Sequence, residues 1–253
     1  MLPDYFVLAA LSGLLCSVLA LRAARKDGAR LDIAVRAIAL AYIGALAGGY
    51  LFESLRALPL ALAHHSFAPL QAGRAAWGGL IGSVLAASIY LRCRGEPIRP
   101  FLDRATLPSG IAFALVRTGC ILAGCDYCTV TLLPWAVRFP AGSPAALDHA
   151  RLGLISRGEP SLPVHPTQLY EAALGLLATG IVYATTGERQ RTSHRFARWM
   201  AIYSVGRFGL EFLRGDRARG SALGLSTAQW TALFVLCAAA MLHRSVMDAA
   251  RAP

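Results

Sequence analysis

Arg117, Glu171, Arg207 and Glu211 stand inside runs of apolar residues long enough to be membrane spans. Insertion scales put the cost of one charge there at about 2.5 kcal/mol or more, so opposite charges normally pair and line a working cavity. Two planar guanidiniums offer bidentate donor edges that match a phosphate better than lysine ammonium groups do. Two carboxylates beside them would orient those edges or carry protons. A purely structural ion-pair network that locks helices together uses the same residue types, so both readings stay open at this point.

Spacing brings the charges together. Tyr203, Arg207, Glu211 and Arg214 follow at i, i+4, i+8 and i+11, which predicts one face of one helix, and Thr167 shares a face with Glu171. At about 1.5 Å per residue, Arg117 falls about 12 Å below Cys125 and Arg207 about 10 Å below Arg214. Glu171 lies about one and a half turns inside Pro166, and Glu211 about one turn inside its own helix end. All four therefore share the outer half of the membrane. A single site explains them, and at that depth the available phosphate is a phospholipid headgroup.

The elements that must hold this site follow from composition. Of 253 residues, 56% are apolar and 15% charged, with a mean hydropathy of +0.50. Soluble domains carry about a quarter charged residues, so a disordered chain, a coiled coil and most soluble enzymes are excluded. Seven apolar stretches approach the roughly 20 residues that a crossing needs: 5–21, 36–52, 75–91, 107–124, 166–186, 199–214 and 221–242. Strand-type alternation is absent, which argues against a membrane barrel. The expected fold is all-α, a polytopic membrane protein with seven transmembrane helices. It forms a single domain over 1–253, with 126–164 as a periplasmic loop or cap. No internal repeat is visible, which weakens a transporter reading.

Basic residues orient the spans. Arg22, Arg25, Lys26, Arg30, Arg92, Arg94, Arg99, Arg104, Arg189, Arg191, Arg195, Arg198, Arg244 and Arg251 make 14 on one side. Arg56, Arg74, Arg138, Arg151, Arg157, Arg214, Arg217 and Arg219 make eight on the other. The positive-inside rule then places the N-terminus in the periplasm and the C-terminus in the cytoplasm. The +11 net charge is an orientation signal and a match to anionic lipid, with no nucleic-acid motif beside it. Asp4 precedes the first apolar run and the basic cluster follows it, the reverse of a cleaved signal's charge order, so we read a retained helix.

Cys120, Cys125 and Cys128 form C-x4-C-x2-C at the outer end of the fourth span. Three chemistries fit: a disulfide between two of them on the oxidising side, a metal site completed by His149 or His165, or a thiol relay through Cys125. Cys16 and Cys237 read as packed thiols, and Cys93 falls on the cytoplasmic side. Gly78, Gly79 and Gly82 in the third span remove side chains where two backbones, or a backbone and a lipid, approach closely.

Together the motifs resemble the prolipoprotein diacylglyceryl transferase family. They are Gly78-Gly79-Leu, Arg117-x-Gly119, Leu133-Pro134-Trp135-Ala-Val-x-Phe-Pro140, His165-Pro-Thr-Gln-Leu-Tyr-Glu171, Tyr203-x3-Arg207-Phe-x2-Glu211-Phe-x-Arg214 and Gln229. The resemblance runs over about residues 5–242. It implies an enzyme of the bacterial inner membrane that moves the diacylglyceryl group of phosphatidylglycerol onto the lipobox cysteine thiol of a prolipoprotein signal peptide, with glycerol phosphate leaving. It also implies catalytic roles for Arg117, Arg207, Glu211, Tyr203 and Glu171, and substrate contacts for Gly78, Gly79, Gly119, Gln168, Tyr170 and Arg214. The arginines would hold the phosphate, and no organic cofactor or metal enters that scheme.

Several positions depart from the family pattern. Trp77 stands where the family has a histidine proposed as base; Cys120 and Cys125 stand where it has an asparagine and a glutamate; Gly44-Ala45-Leu46 stands where its second span has an arginine, and Tyr5-Phe6 where it has Tyr-Gly. His165 becomes the candidate base near the outer surface, or else a cap that orients the fifth span. His149 is a weaker candidate, His64 and His65 belong to the interface, and His194 and His243 to the cytoplasmic side. Two other classes therefore accompany the transferase reading: a paralogue with a different acceptor, and a non-catalytic lipid-binding or redox membrane protein.

Overall fold

The computed structural model describes residues 2–63, 75–186, 195–214 and 221–251. Among them the helices are α1 (Leu2–Lys26), α2 (Leu31–Ala63), α3 (Ala76–Cys93), α4 (Ile98–Ala123), α5 (Pro144–Arg151), α6 (Thr167–Thr185), α7 (Arg195–Leu210) and α8 (Thr227–Arg251). A 3-10 turn, Glu211–Leu213, follows α7. A hairpin of β1 (Ser221–Ala222) and β2 (Leu225–Ser226) leads into α8, turning at Leu223 and Gly224, both of positive φ. The all-α expectation holds. His64, His65, His194, Arg74, Arg189, Arg191, Arg217 and Arg219 lie outside the described residues.

Four helical segments, Val7–Lys26, Leu31–Leu58, Ala76–Cys93 and Ile98–Ala123, are long and apolar enough to cross a membrane. The helices after α4 are more polar or shorter. α6 opens on Gln168 and Glu171, and α7 has 16 residues, short of the roughly 20 of a full crossing.

The chain divides into two compact units, 20–104 and 1–19 with 105–253. In the first, α2 and α3 pack through paired glycines. A Cβ on Gly48 would overlap the Gly78 carbonyl, and one on Gly82 would overlap that of Gly44. Two Gly-x3-Gly steps thus let the backbones touch, the small-residue packing of membrane helices. Gly78 has a packing role in this contact, and Gly79 sits beside the Ala45 carbonyl. Asp27 closes the α1–α2 turn by accepting from Arg104 Nε at 2.8 Å.

The second unit holds α4, α6 and α7 around a small polar hinge point. A Cβ on Gly110 of α4 would strike Thr179 Oγ1 of α6, and that oxygen accepts from Trp199 Nε1 of α7 at 2.9 Å. Trp199 stacks on Tyr203 at 5.2 Å, and Phe113 of α4 lies 4.6 Å from the Tyr203 ring. These buried aromatics fix the three helices one turn below the charges that α4, α6 and α7 present. Pro108 cannot donate within α4, and its carbonyl accepts from Cys16 Sγ of α1 at 3.1 Å.

Segment 126–164 carries structure of its own rather than forming a featureless loop. α5 starts at Ser143, whose hydroxyl accepts from Ala146 N–H, with Pro144 at its first helical position. Val164 exchanges backbone hydrogen bonds with Val137, and Phe139, Ala145 and Val164 form a small core against Ile121, Tyr127 and Val137.

Candidate active site

Glu171 is the centre of the second unit's polar core. Only 1% of it is exposed, and three guanidiniums reach it. Arg117 Nε lies 2.5 Å from Oε2, Arg207 Nε 3.4 Å from Oε1 and Arg214 NH1 3.5 Å from Oε1. Glu211 pairs with Arg207 NH1 at 2.5 Å and accepts from Ser226 Oγ at 2.9 Å. Asp126 bridges Arg117 NH1 at 2.6 Å and Arg214 NH2 at 3.1 Å. Three cations thus face three carboxylates within one buried cluster, which satisfies the requirement that buried charges be paired.

The sequence expectation of one helical face needs correction at its end. α7 stops at Leu210, the chain tightens into the 3-10 turn, and Arg214 is extended at φ −81° and ψ 131°. Arg207 and Glu211 remain one turn apart. Arg214 reaches the cluster through the change of backbone, not through helical periodicity. Its side chain is 3% exposed, so it belongs to the interior of the cluster.

Helix caps position the rest. Gly124, at φ 68°, ends α4 in the left-handed region. Its N–H donates to Ile121 and that of Cys125 donates to Cys120 at 3.1 Å, the pair of bonds that defines a Schellman motif. That motif brings the residue two past the cap back over the third residue before it, and here these are Cys125 and Cys120. Asp126, also left-handed at φ 58°, then turns its carboxylate onto Arg117. At the start of α8, Ser226 N–H donates to Gln229 Oε1 at 2.9 Å and Gln229 N–H to Ser226 Oγ at 3.1 Å. This reciprocal capping box presents Ser226 to Glu211.

Tyr203, 2% exposed, lies within electrostatic reach of Glu171 and all three arginines. Gln168 donates to the Cys125 carbonyl at 2.5 Å, Thr167 to the Asp126 carbonyl at 3.2 Å, and Gly119 is buried in α4. These contacts hold the turn that carries Cys125 and Asp126. Tyr170 accepts from Trp135 Nε1 at 2.6 Å, and its hydroxyl lies 3.4 Å from His165 Nδ1. His165 therefore belongs with the Trp135–Tyr170 pair.

The cysteines separate. The ligand atoms of Cys120, Cys125 and Asp126 all lie within 4.8 Å of one another, whereas Cys128 donates to Thr167 Oγ1 at 3.0 Å. All six cysteines are free thiols. His149 Nδ1 accepts from Leu162 N–H at 3.1 Å and holds the outer segment together. Its burial lowers its pKa, against the pull of Asp148. The hydrogen bond shared with Cys120 raises the Cys125 thiol, with burial and Asp126 in the same direction and Arg117 opposed.

Asp126 and Ser226 escaped the sequence reading. An acidic residue in a polar loop carries no desolvation signal, so only the left-handed turn reveals Asp126. Ser226-Thr-Ala-Gln229 does spell a capping box, but an apolar run begun at 221 hid it.

An apolar multi-helix scaffold enclosing a cluster of paired guanidiniums and carboxylates is the architecture of a membrane protein with a polar interior. The chain belongs to the prolipoprotein diacylglyceryl transferase family, which it matches over residues 3–244. It is 31% identical over 160 residues to the phosphatidylglycerol–prolipoprotein diacylglyceryl transferase of Clostridium tetani, covering 63% of this chain and 59% of that protein. It is 27% identical over 235 residues to the second such transferase of Clostridium perfringens, covering 91% and 86%. With the Geobacter sulfurreducens protein of that name it shares 31% over 207 residues, covering 78% and 72%. The match thus spans about three fifths of the C. tetani protein and most of the other two.

Proposed function

We propose that this chain transfers the diacylglyceryl group of phosphatidylglycerol to the lipobox cysteine thiol in a prolipoprotein signal peptide. The observation that carries this reading is the convergence of Arg117, Arg207 and Arg214 on Glu171. The acceptor sulfur forms a bond to the glyceryl carbon, the carbon–oxygen bond to phosphate breaks, and glycerol phosphate leaves with the electron pair. Fixed cations facing that oxygen stabilise its developing charge.

Glu171 and Glu211 hold the Nε and NH1 of Arg207, and Glu171 holds the Nε of Arg117, which aims both guanidiniums. Asp126 is the most exposed of the three carboxylates, at 26% of its side chain, and comes from a loop. An arriving phosphate takes its place between Arg117 and Arg214. Tyr203 positions the arginines from below, Gln168 and Gly119 support the turn, and the Trp135–Tyr170–His165 group lies on the acceptor side.

In this reading seven helices of a single domain cross the bacterial inner membrane, with the N-terminus and the 126–164 cap periplasmic and the C-terminus cytoplasmic. Release of glycerol phosphate from phosphatidylglycerol micelles containing a lipobox peptide tests the donor half. Wild-type release that is lost in Arg117→Ala supports it; equal release by both proteins contradicts it. Release without peptide labelling would assign a different acceptor.

A further inference from the structure

The structure assigns a zinc-type metal site to Cys120, Cys125 and Asp126, with the fourth position open to the acceptor thiol. Its role in transfer rests on the function proposed above; the site itself does not.

The three ligand atoms already lie within 4.8 Å of one another. In a tetrahedral zinc shell, sulfurs at about 2.3 Å from the metal sit about 3.8 Å apart, so the cluster closes by about 1 Å. The backbone imposes this approach: the Schellman cap of α4 stacks Cys125 on Cys120, and the left-handed φ of Asp126 keeps its carboxylate beside them. Gln168 and Thr167 pin the turn through the Cys125 and Asp126 carbonyls. A disulfide would use the two sulfurs alone, whereas the carboxylate of Asp126 completes a set of three ligand atoms.

The charges also fit. Two thiolates and a carboxylate carry −3 against the +2 of Zn2+, and the Arg117 guanidinium lies beside them, its NH1 4.0 Å from Cys120 Sγ and 2.6 Å from Asp126 Oδ2. Ligating carboxylates are normally hydrogen-bonded in this way from outside the metal shell. Cys125 and Asp126 are half-buried, so the fourth position can be reached. Three protein ligands and one open position make a reactive rather than a structural zinc site.

A thiol bound there loses its proton outright. That supplies what Trp77 cannot. The acceptor thiol gives its proton to water and binds as thiolate; its sulfur then bonds to the glyceryl carbon as the phosphate oxygen departs. Asp126 keeps its bond to Arg117 and, turned toward the metal, gives up Arg214 to the phosphate.

Full-length protein purified in detergent and equilibrated with Zn2+ should hold one zinc per chain. Cys120→Ser and Cys125→Ser should each lose most of it, and Cys125→His, a zinc-competent replacement, should keep it. With Co2+ in place of zinc, a lipobox peptide bearing cysteine should strengthen the thiolate-to-cobalt absorption, while its serine counterpart should not. Equal zinc in wild type and Cys125→Ser, or a Cys120–Cys125 disulfide in zinc-equilibrated protein, would overturn the site. Undiminished peptide labelling by zinc-free Cys125→Ser would overturn its role and leave the transferase standing. Cysteine-dependent zinc in a protein that turns over no phosphatidylglycerol would keep the site and remove the transferase reading.

Discussion

Arg117 Nε lies 2.5 Å from Glu171 Oε2, joining α4 to α6 through two side chains that are almost wholly buried. Neither charge could stand there alone, because an unpaired buried ion costs several kcal/mol. The pair therefore fixes the orientation of the Arg117 guanidinium, and the same carboxylate receives Arg207 and Arg214 on its other oxygen. One glutamate aims three cations.

Glu171→Gln should consequently harm both fold and function. Removing one partner of a buried ion pair costs about 3–5 kcal/mol. Thermal unfolding in detergent should show a clear fall in Tm. Added phosphate should restore more of it in the variant than in wild type, since three guanidiniums then face fewer carboxylates.

Arg207→Lys should behave almost as badly as Arg207→Ala. A single ammonium cannot serve Glu171 and Glu211 with the fixed fork that Nε and NH1 provide. Losing one preorganised donor of this kind costs about 10²–10³ in rate. Steady-state kcat on phosphatidylglycerol checks it; a lysine variant with wild-type kcat would argue for simple charge neutralisation.

Gly82→Ala should destabilise the first unit, whereas Gly180→Ala should not. A methyl on Gly82 meets the Gly44 backbone, while one on Gly180 meets nothing within 4 Å. Overpacking of that kind costs about 1–3 kcal/mol. Parallel unfolding curves of the two variants separate packing from helix propensity.

The outer segment should loosen in acid through His149. Its pKa is depressed in the fold, so the unfolded state binds the proton more readily. The stability it contributes is complete above the ordinary histidine value of about 6.5 and is lost as pH falls through the folded value. Limited proteolysis around 152–160 should accelerate over that window in wild type and lose its pH response in His149→Gln.

Much of this arrangement was legible in the chain, and the omissions have physical causes. Arg117, Glu171, Arg207 and Glu211 stood out because charge in an apolar run is costly, and the structure gathers all four. The 3-10 turn after Leu210 was not legible, since Tyr203, Arg207, Glu211 and Arg214 fit an uninterrupted helix equally well. Asp126 gave no signal because its importance lies in backbone φ and not in composition. Ser143-Pro144 did carry a helix start, yet α5 has only eight residues and no long apolar period to reveal it. The approach of Cys125 to Cys120 depended on recognising Gly124 as a helix terminator.

The most direct test is transfer of label from phosphatidylglycerol, radiolabelled in its diacylglyceryl group, to a lipobox peptide by the purified full-length protein. Arg207→Ala runs beside it. Thioether-linked label on the peptide cysteine, lost by about 10²-fold or more in the variant, is the result this account predicts. Equal labelling by wild type and Arg207→Ala would contradict it, because the arginine cluster would then have no part in the reaction.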